Sequence, residues 1–166
     1  NSSGHVRVYE WDGTSSWNKL GSDIDGEAKD DQSGHSVAMN SSGNRIAIGA
    51  PFNDRRRGHV RVYDWNGSSW NKVGGDIDGE AAYDNSGWSV AMNSDGNRIV
   101  IGAPEHDNDK GHVRVYEWDG SSWNKVGNDI DGEADADYSG WSVATNNSGY
   151  RIAIGARNND GNGSNS

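Results

Sequence analysis

The sequence predicts an all-β fold made of four-stranded antiparallel blades of a β-propeller, with three blades' worth of strands in one chain. Three observations carry that expectation. One unit recurs: GHVRVYEW begins at Gly4, GHVRVYDW at Gly58 and GHVRVYEW again at Gly111, offsets of 54 and 53 residues. That period lies near the roughly 40–50 residues of propeller blades and well above the about 20–29 of leucine-rich repeats. Apolar residues come in short runs of period two, and no window carries them at helical spacing over three turns. Glycine is abundant, 24 against 2 prolines, as many tight turns require.

Each element follows from its pattern. VRVYEW (Val6 to Trp11) sets Val6, Val8 and Glu10 on one face and Arg7, Tyr9 and Trp11 on the other. A DG or NG turn comes next, a favoured hairpin signal, and SWNKLG supplies the returning strand. The first turn, DGTSSW, holds one residue more than NGSSW and DGSSW, which accounts for the unequal offsets. After the acidic DIDGEA segment, HSVAMN (His35 to Asn40), the turn SSGN and RIAIGA (Arg45 to Ala50) complete four strands. A lone blade exposes both apolar faces, so blades must stack around an axis.

Composition bounds the rest. Only 31% of the 166 residues are apolar, and the mean hydropathy is -0.96, values that alone lean toward disorder. Eight Trp, six Tyr and the alternating runs oppose that reading. A net charge of -10 argues against nucleic acid and anionic membrane surfaces as partners. Without cysteine there is no disulfide framework, thiolate metal site or cysteine nucleophile. No apolar run is long enough for a membrane-spanning helix, so no membrane insertion is expected.

The segment SGWSVAMNSDGNRIVIGAPEHDNDKGHVRVYEW (Ser86 to Trp118) resembles the FG-GAP repeat of the integrin α-chain β-propeller and its microbial relatives. The matching pieces are G-x-S-V-A, a turn, I-x-I-G-A-P and G-x-V-x-V-Y, and the resemblance extends over nearly the whole chain in three copies. It implies that HSVAMN, WSVAMN and WSVATN are innermost strands, with SWNKVG outermost. Residues 4–32 then form an outer half-blade, 33–85 and 86–138 two blades, 139–156 an inner half-blade, and 157–166 a linker-like tail. Propellers typically have about 4–8 blades. A homodimer closing a six-bladed ring, or an excerpt of a longer array, is therefore expected.

The resemblance also implies calcium at an Asp-rich loop between the two inner strands, of the form D-x-[DN]-x-D-G-x-x-D. Here the loops MNSSGNRI, MNSDGNRI and TNNSGYRI are one residue shorter, hold only Asp95 as a carboxylate, and place Arg45, Arg98 and Arg151 near the last Asp. A plain hairpin turn is the favoured reading there. DIDGEA instead falls on the connection between blades, where Asp and Gly shape the turn through side chain to backbone bonds. Its residues Asp23, Asp25, Glu27, Asp76, Asp78, Glu80, Asp129, Asp131 and Glu133 are the candidate calcium ligands, although the full ligand run of an EF-hand is missing. No cofactor is required, and calcium is the one option. As catalytic acids these carboxylates are poor candidates, because three near-identical copies offer no unequal acid and base pair.

His5, His59 and His112 open the same strand in each copy and read as packing or backbone-bonded residues, while His106 stands alone in a polar loop. Trp11, Trp65 and Trp118 with Trp17, Trp70 and Trp123 flank the DG and NG turns as cross-strand pairs. Trp88 and Trp141, with His35 at the same position of the preceding unit, lie near the inner strand and could line a channel entrance. PFNDRRR (Pro51 to Arg57), PEHDNDK (Pro104 to Lys110) and RNNDGNGSNS (Arg157 to Ser166) differ most between units and emerge on the DIDGEA face. Trp88, Trp141, His35, Arg55, Arg56 and His106 are accordingly the candidate ligand-binding residues. Sequons occur at Asn1, Asn40, Asn66, Asn146 and Asn162. The expected function is a non-enzymatic extracellular or cell-surface scaffold for adhesion or ligand binding through one loop face. The alternative is a lectin-like module using the repeated Trp residues. Expected partners are a second copy closing the ring and a protein or glycan ligand.

Overall fold

The computed structural model describes residues 2–159 of the protein. The sequons at Asn1 and Asn162, and the predicted tail beyond Asn159, lie outside the described residues.

Two propeller-like antiparallel sheets dominate. In the first, Ser36–Met39, Arg45–Ala50, His59–Trp65 and Trp70–Lys72 lie side by side in that order, and Ile77–Asp78 also pairs with His59–Trp65. The second repeats it with Ser89–Met92, Arg98–Ala103, His112–Trp118, Trp123–Lys125 and Ile130–Asp131. Before them, Tyr9–Trp11 pairs with Trp17–Lys19 and His5–Val6 with Ile24–Asp25; after them, Ser139–Thr145 pairs with Ile152–Ala156. The three Trp pairs that flank the turns are directly opposed, Trp11 to Trp17, Trp65 to Trp70 and Trp118 to Trp123. Their ring centroids are 5.5, 5.4 and 5.3 Å apart, as cross-strand packing predicts.

The hairpin chemistry explains the turns. Asp119 Oδ1 accepts the backbone N–H groups of Ser121 (2.7 Å) and Ser122 (2.8 Å), and Asn66 Oδ1 does the same for Ser68 and Ser69. The inner turn is closed from within by Asn40, whose Oδ1 accepts the N–H groups of Asn44 (3.0 Å) and Arg45 (2.9 Å). Arg45 reaches Asp64 and Arg98 reaches Glu117 (2.8 Å), so these arginines tie the turn to the third strand.

DIDGEA departs from the expectation of a bare connection. Its Ile-Asp pair is a short strand, with Ile77 opposite Val60 and Asp78 opposite His59. Ile24 and Ile77 are both buried, so the apolar side chain draws the segment back onto the sheet. At Asn53–Arg56 and His106–Asp109 the chain makes single tight turns. Asp54, Arg55 and Arg56 take φ of 43, 58 and 66°, and Asp107, Asn108 and Asp109 take 48, 58 and 63°. These are left-handed turns, which L-residues occupy at a cost of about 1–2 kcal/mol each.

The core lies between sheets. Val8, Ile24, Ile46, Ile48 and Tyr63 form one cluster; Ala47, Val60, Val62, Ile77, Ile99 and Ile101 form the next. Ser36 Oγ donates to the Gly87 carbonyl of the following sheet and Ser89 Oγ to Gly140, both at 2.8 Å. The indole N–H groups of Trp70 and Trp123 donate back to Leu20 (3.0 Å) and Val73 (3.1 Å) in the preceding unit. Buried Arg61 and Arg114 donate to the carbonyls of Asp25 and Asp78, each at 2.9 Å. Every repeat is thus bonded to its neighbours by the same contacts.

Candidate functional site

A glycine precedes each of three equivalent ring positions. Gly34, Gly87 and Gly140 have φ of 91, 87 and 86°, and a Cβ on Gly87 would run into the His59 carbonyl. This left-handed step turns His35, Trp88 and Trp141 toward one another across successive repeats. His35 and Trp88 have centroids 4.5 Å apart at 49°, and Trp88 and Trp141 4.7 Å apart at 44°. The three rings form a ladder over the inner strands. Burial pushes the His35 pKa down, which favours the neutral ring in that stack.

The variable loops meet the ladder. Phe52 packs at 6.2 Å on His35 and 6.4 Å on Trp88, with the Arg56 guanidinium 5.4 Å above it. At the other end Arg157 lies 3.7 Å over Trp141 and 4.5 Å over Tyr138, which meets Trp141 edge-on at 6.1 Å. Arg56 is tethered to Glu105 at 2.9 Å; Arg55 is exposed on its left-handed turn. Sequence reasoning named His35, Trp88, Trp141 and Arg56 and missed Phe52, Tyr138 and Arg157. Phe52 and Arg157 stand in the most divergent segments, and Tyr138 takes the place of Gln32 and Asn85 in the other repeats, so no repetition flags them.

The DIDGEA carboxylates go to separate partners. Asp23 pairs with Arg7 (2.9 Å) and Lys19, which hold its carboxyl well below the usual range. Asp76 pairs with Lys72 and Asp129 with Lys125, each at 2.8 Å. Glu27 reaches Arg61 (3.1 Å) and Glu80 reaches Arg114 (3.5 Å), while Glu133 accepts from Asn159 (3.3 Å). Asp25, Asp78 and Asp131 enter the sheets, opposite His5, His59 and His112. Calcium requires six to eight oxygens at about 2.3–2.6 Å, and no single copy brings its three carboxylates to one point. The buried fourth carboxylates, Asp31, Asp84 and Asp137, accept the N–H groups of Ala28, Ala81 and Ala134 at 2.8–2.9 Å and cap the turn.

Histidines join the acidic loops instead. Glu80, His106 and His112 form one group whose ligand atoms lie within 4.8 Å of one another, and Glu27, His59 and Asp76 form a second. Of the two roles expected for His112, packing or a backbone hydrogen bond, the structure shows packing: the ring is buried and both its nitrogens lack a hydrogen-bond partner. His106, expected to stand alone, stacks on His112 at 3.9 Å and 25°. The spacing of 53 residues that relates His59 to His112 gave no hint of it, since the residue 53 before His106 is Asn53.

Comparison with known proteins places these features in context. Residues 77–116 match the FG-GAP repeat family. No curated protein matches the chain. Among solved structures, a "putative 6-phosphogluconolactonase" from Bacteroides uniformis ATCC 8492 is similar with a TM-score of 0.66 at 9% identity, covering 94% of this chain and 42% of that one. A second protein so described, from Bacteroides fragilis NCTC 9343, gives 0.58 at 11% identity, covering 92% and 36%. The chain spans less than half the length of these structures. At such identity the likeness shows a shared fold. It corrects one expectation: the exclusion of an enzyme is withdrawn, because structural neighbours of this fold carry the name of an enzyme. Among the described residues no helix is long and apolar enough to cross a membrane.

Proposed function

We propose that the chain is an extracellular, surface-displayed ligand-binding module of integrin α-like FG-GAP repeats, engaging its partner through one loop face. The observation that carries this reading is the His35–Trp88–Trp141 ladder, one ring from each of three repeats, bordered by the most divergent loops. Rigid sheets presenting variable loops favour binding there. Aromatic rings with Arg157 and Arg56 beside them are the residue types that dominate binding energies. A protein partner with acidic and apolar groups suits this strip.

A glycan is the second reading, favoured by the stepped ring planes, on whose faces the C–H groups of successive sugars can rest. Screening the protein against glycan and cell-surface protein arrays identifies the class of ligand. Trp88→Ala and Trp141→Ala should then each weaken capture more than about tenfold, consistent with hot-spot losses above 1 kcal/mol. Undiminished capture in both variants would remove the ladder from the account.

The ring is completed, in this reading, by a second copy of the chain. Among the described residues, Ile152–Ala156 pairs on one side only, with Ser139–Thr145, and Tyr9–Trp11 pairs only with Trp17–Lys19. In the complete sheets the equivalent strands pair with each other, as Arg45–Ala50 does with His59–Trp65. Tyr9, Val37 and Met39 are exposed along the groove where a partner's inner strands would sit.

A further inference from the structure

We propose that His106, His112 and Glu80 bind a single divalent transition-metal ion, zinc foremost, at the junction between the second DIDGEA loop and the following repeat. The three donor atoms lie within 4.8 Å of one another. His112 is 1% exposed, and neither of its ring nitrogens has a hydrogen-bond partner. A buried imidazole with both nitrogens unpaired is costly, and a metal bond would satisfy one of the two.

The surroundings are organised as a metal's second layer. His106 Nδ1 lies 3.1 Å from Asp84 Oδ1, close enough for an ion pair though misaligned for a hydrogen bond. A small ring rotation would give the carboxylate–histidine pair that orients metal-binding imidazoles, leaving Nε2 as donor. Two imidazoles and one carboxylate, with a fourth position open, suit tetrahedral zinc at about 2.0–2.2 Å and do not suit calcium. The donors must close in from their present separation. Glu80 is exposed and free to do so, exchanging its contacts with Arg114 (3.5 Å) and Lys125 (3.9 Å) for the ion. Lys125 keeps its partner Asp129 at 2.8 Å. His106, partly exposed, provides the entry path.

The repeats supply their own control. Where this unit has His106, its neighbours have Asn53 and Asn159, whose amides donate to Asp31 (3.1 Å) and Asp137 (2.9 Å). The chain therefore already accommodates Asn at this position twice. Isothermal titration of the chelator-stripped full chain with zinc should show one saturable site per chain, with a higher melting temperature on binding. His106→Asn should fold normally and bind zinc more than about tenfold more weakly, a loss at least as large as those of outer-layer changes. Asn53→His places a second imidazole beside His59 and Glu27 and should raise the stoichiometry to two. Cobalt should give the visible absorption of a four-coordinate nitrogen and oxygen site in the native chain and lose it in His106→Asn. Absence of saturable zinc binding, binding left unchanged by His106→Asn, or a response to calcium with none to zinc each overturns the proposal and leaves the two rings as packing alone.

Discussion

His59 and His112 sit at the same place in successive units, 2% and 1% exposed, and burial depresses the pKa of both. His59 faces Arg61, which adds to the depression, and Asp76, Glu27 and Asp31, which oppose it. His112 faces His106 and Arg114, with Asp129 and Asp84 opposing. The unfolded chain takes up these protons near pH 6.5, whereas folded His112 waits until about pH 4. The stability they contribute is therefore whole above about pH 6.5 and falls away as the pH drops toward 4. For His112 the loss is on the order of 3 kcal/mol, at 1.36 kcal/mol per unit. In the presence of chelator, urea titrations at pH 7 and pH 4.5 should show this decline. His112→Gln should flatten it, and an equal slope in that variant would mean the buried ring is not its source. The recurrence of GHV made these histidines visible in the sequence; their burial without hydrogen bonds was not, because it depends on the neighbouring loop that covers them.

At the scale of elements, the blade junction is set by glycine rather than by side-chain volume. A Cβ on Gly49 would collide with the Gly87 carbonyl of the next sheet and with Ser36 Oγ, and Gly102 meets Gly140 in the same way. Gly49→Ala should cost about 1–3 kcal/mol through overpacking, a fall in melting temperature of roughly 2–12 °C at this chain length. Gly75, with nothing within 4 Å, is the control, and Gly75→Ala should leave the melt nearly unchanged. Equal melting of Gly49→Ala and Gly75→Ala would show that the sheets can move apart freely. The strands, the DG and NG hairpins and the Asn-closed inner turns were legible because period-two patterning and turn chemistry act within a few residues. The Ile77–Asp78 strand was not, because two residues are too short for a pattern and only burial of Ile77 against the neighbouring sheet draws it in. The left-handed turns at 54–56 and 107–109 were equally hidden: Asp and Asn tolerate a positive φ better than other L-residues, but Arg55 and Arg56 do not share that tolerance, and neither segment signals three in succession.

For the molecule as a whole, stacking of repeats was readable from the 53-residue period, and the comparison structures agree on the fold. The aromatic strip was half readable. His35, Trp88 and Trp141 share a repeat position, whereas Phe52, Tyr138 and Arg157 reach them only through the three-dimensional path of irregular loops. If the ring closes through a second copy, light scattering after size exclusion should report twice the 17.9 kDa of one chain. A folded species at the single-chain mass would remove the dimer.

The bonds between successive repeats are the same in kind: serine hydroxyl to glycine carbonyl, indole to backbone, arginine to backbone. Such uniformity makes the address of each strand ambiguous. During folding, a GHVRVY strand can dock on the inner strands of the wrong unit, or on those of another molecule, with nearly the contacts it makes in its proper place. Refolding is thus a contest between correct docking within one chain and strand exchange between chains, and dilution is what tilts it toward the first.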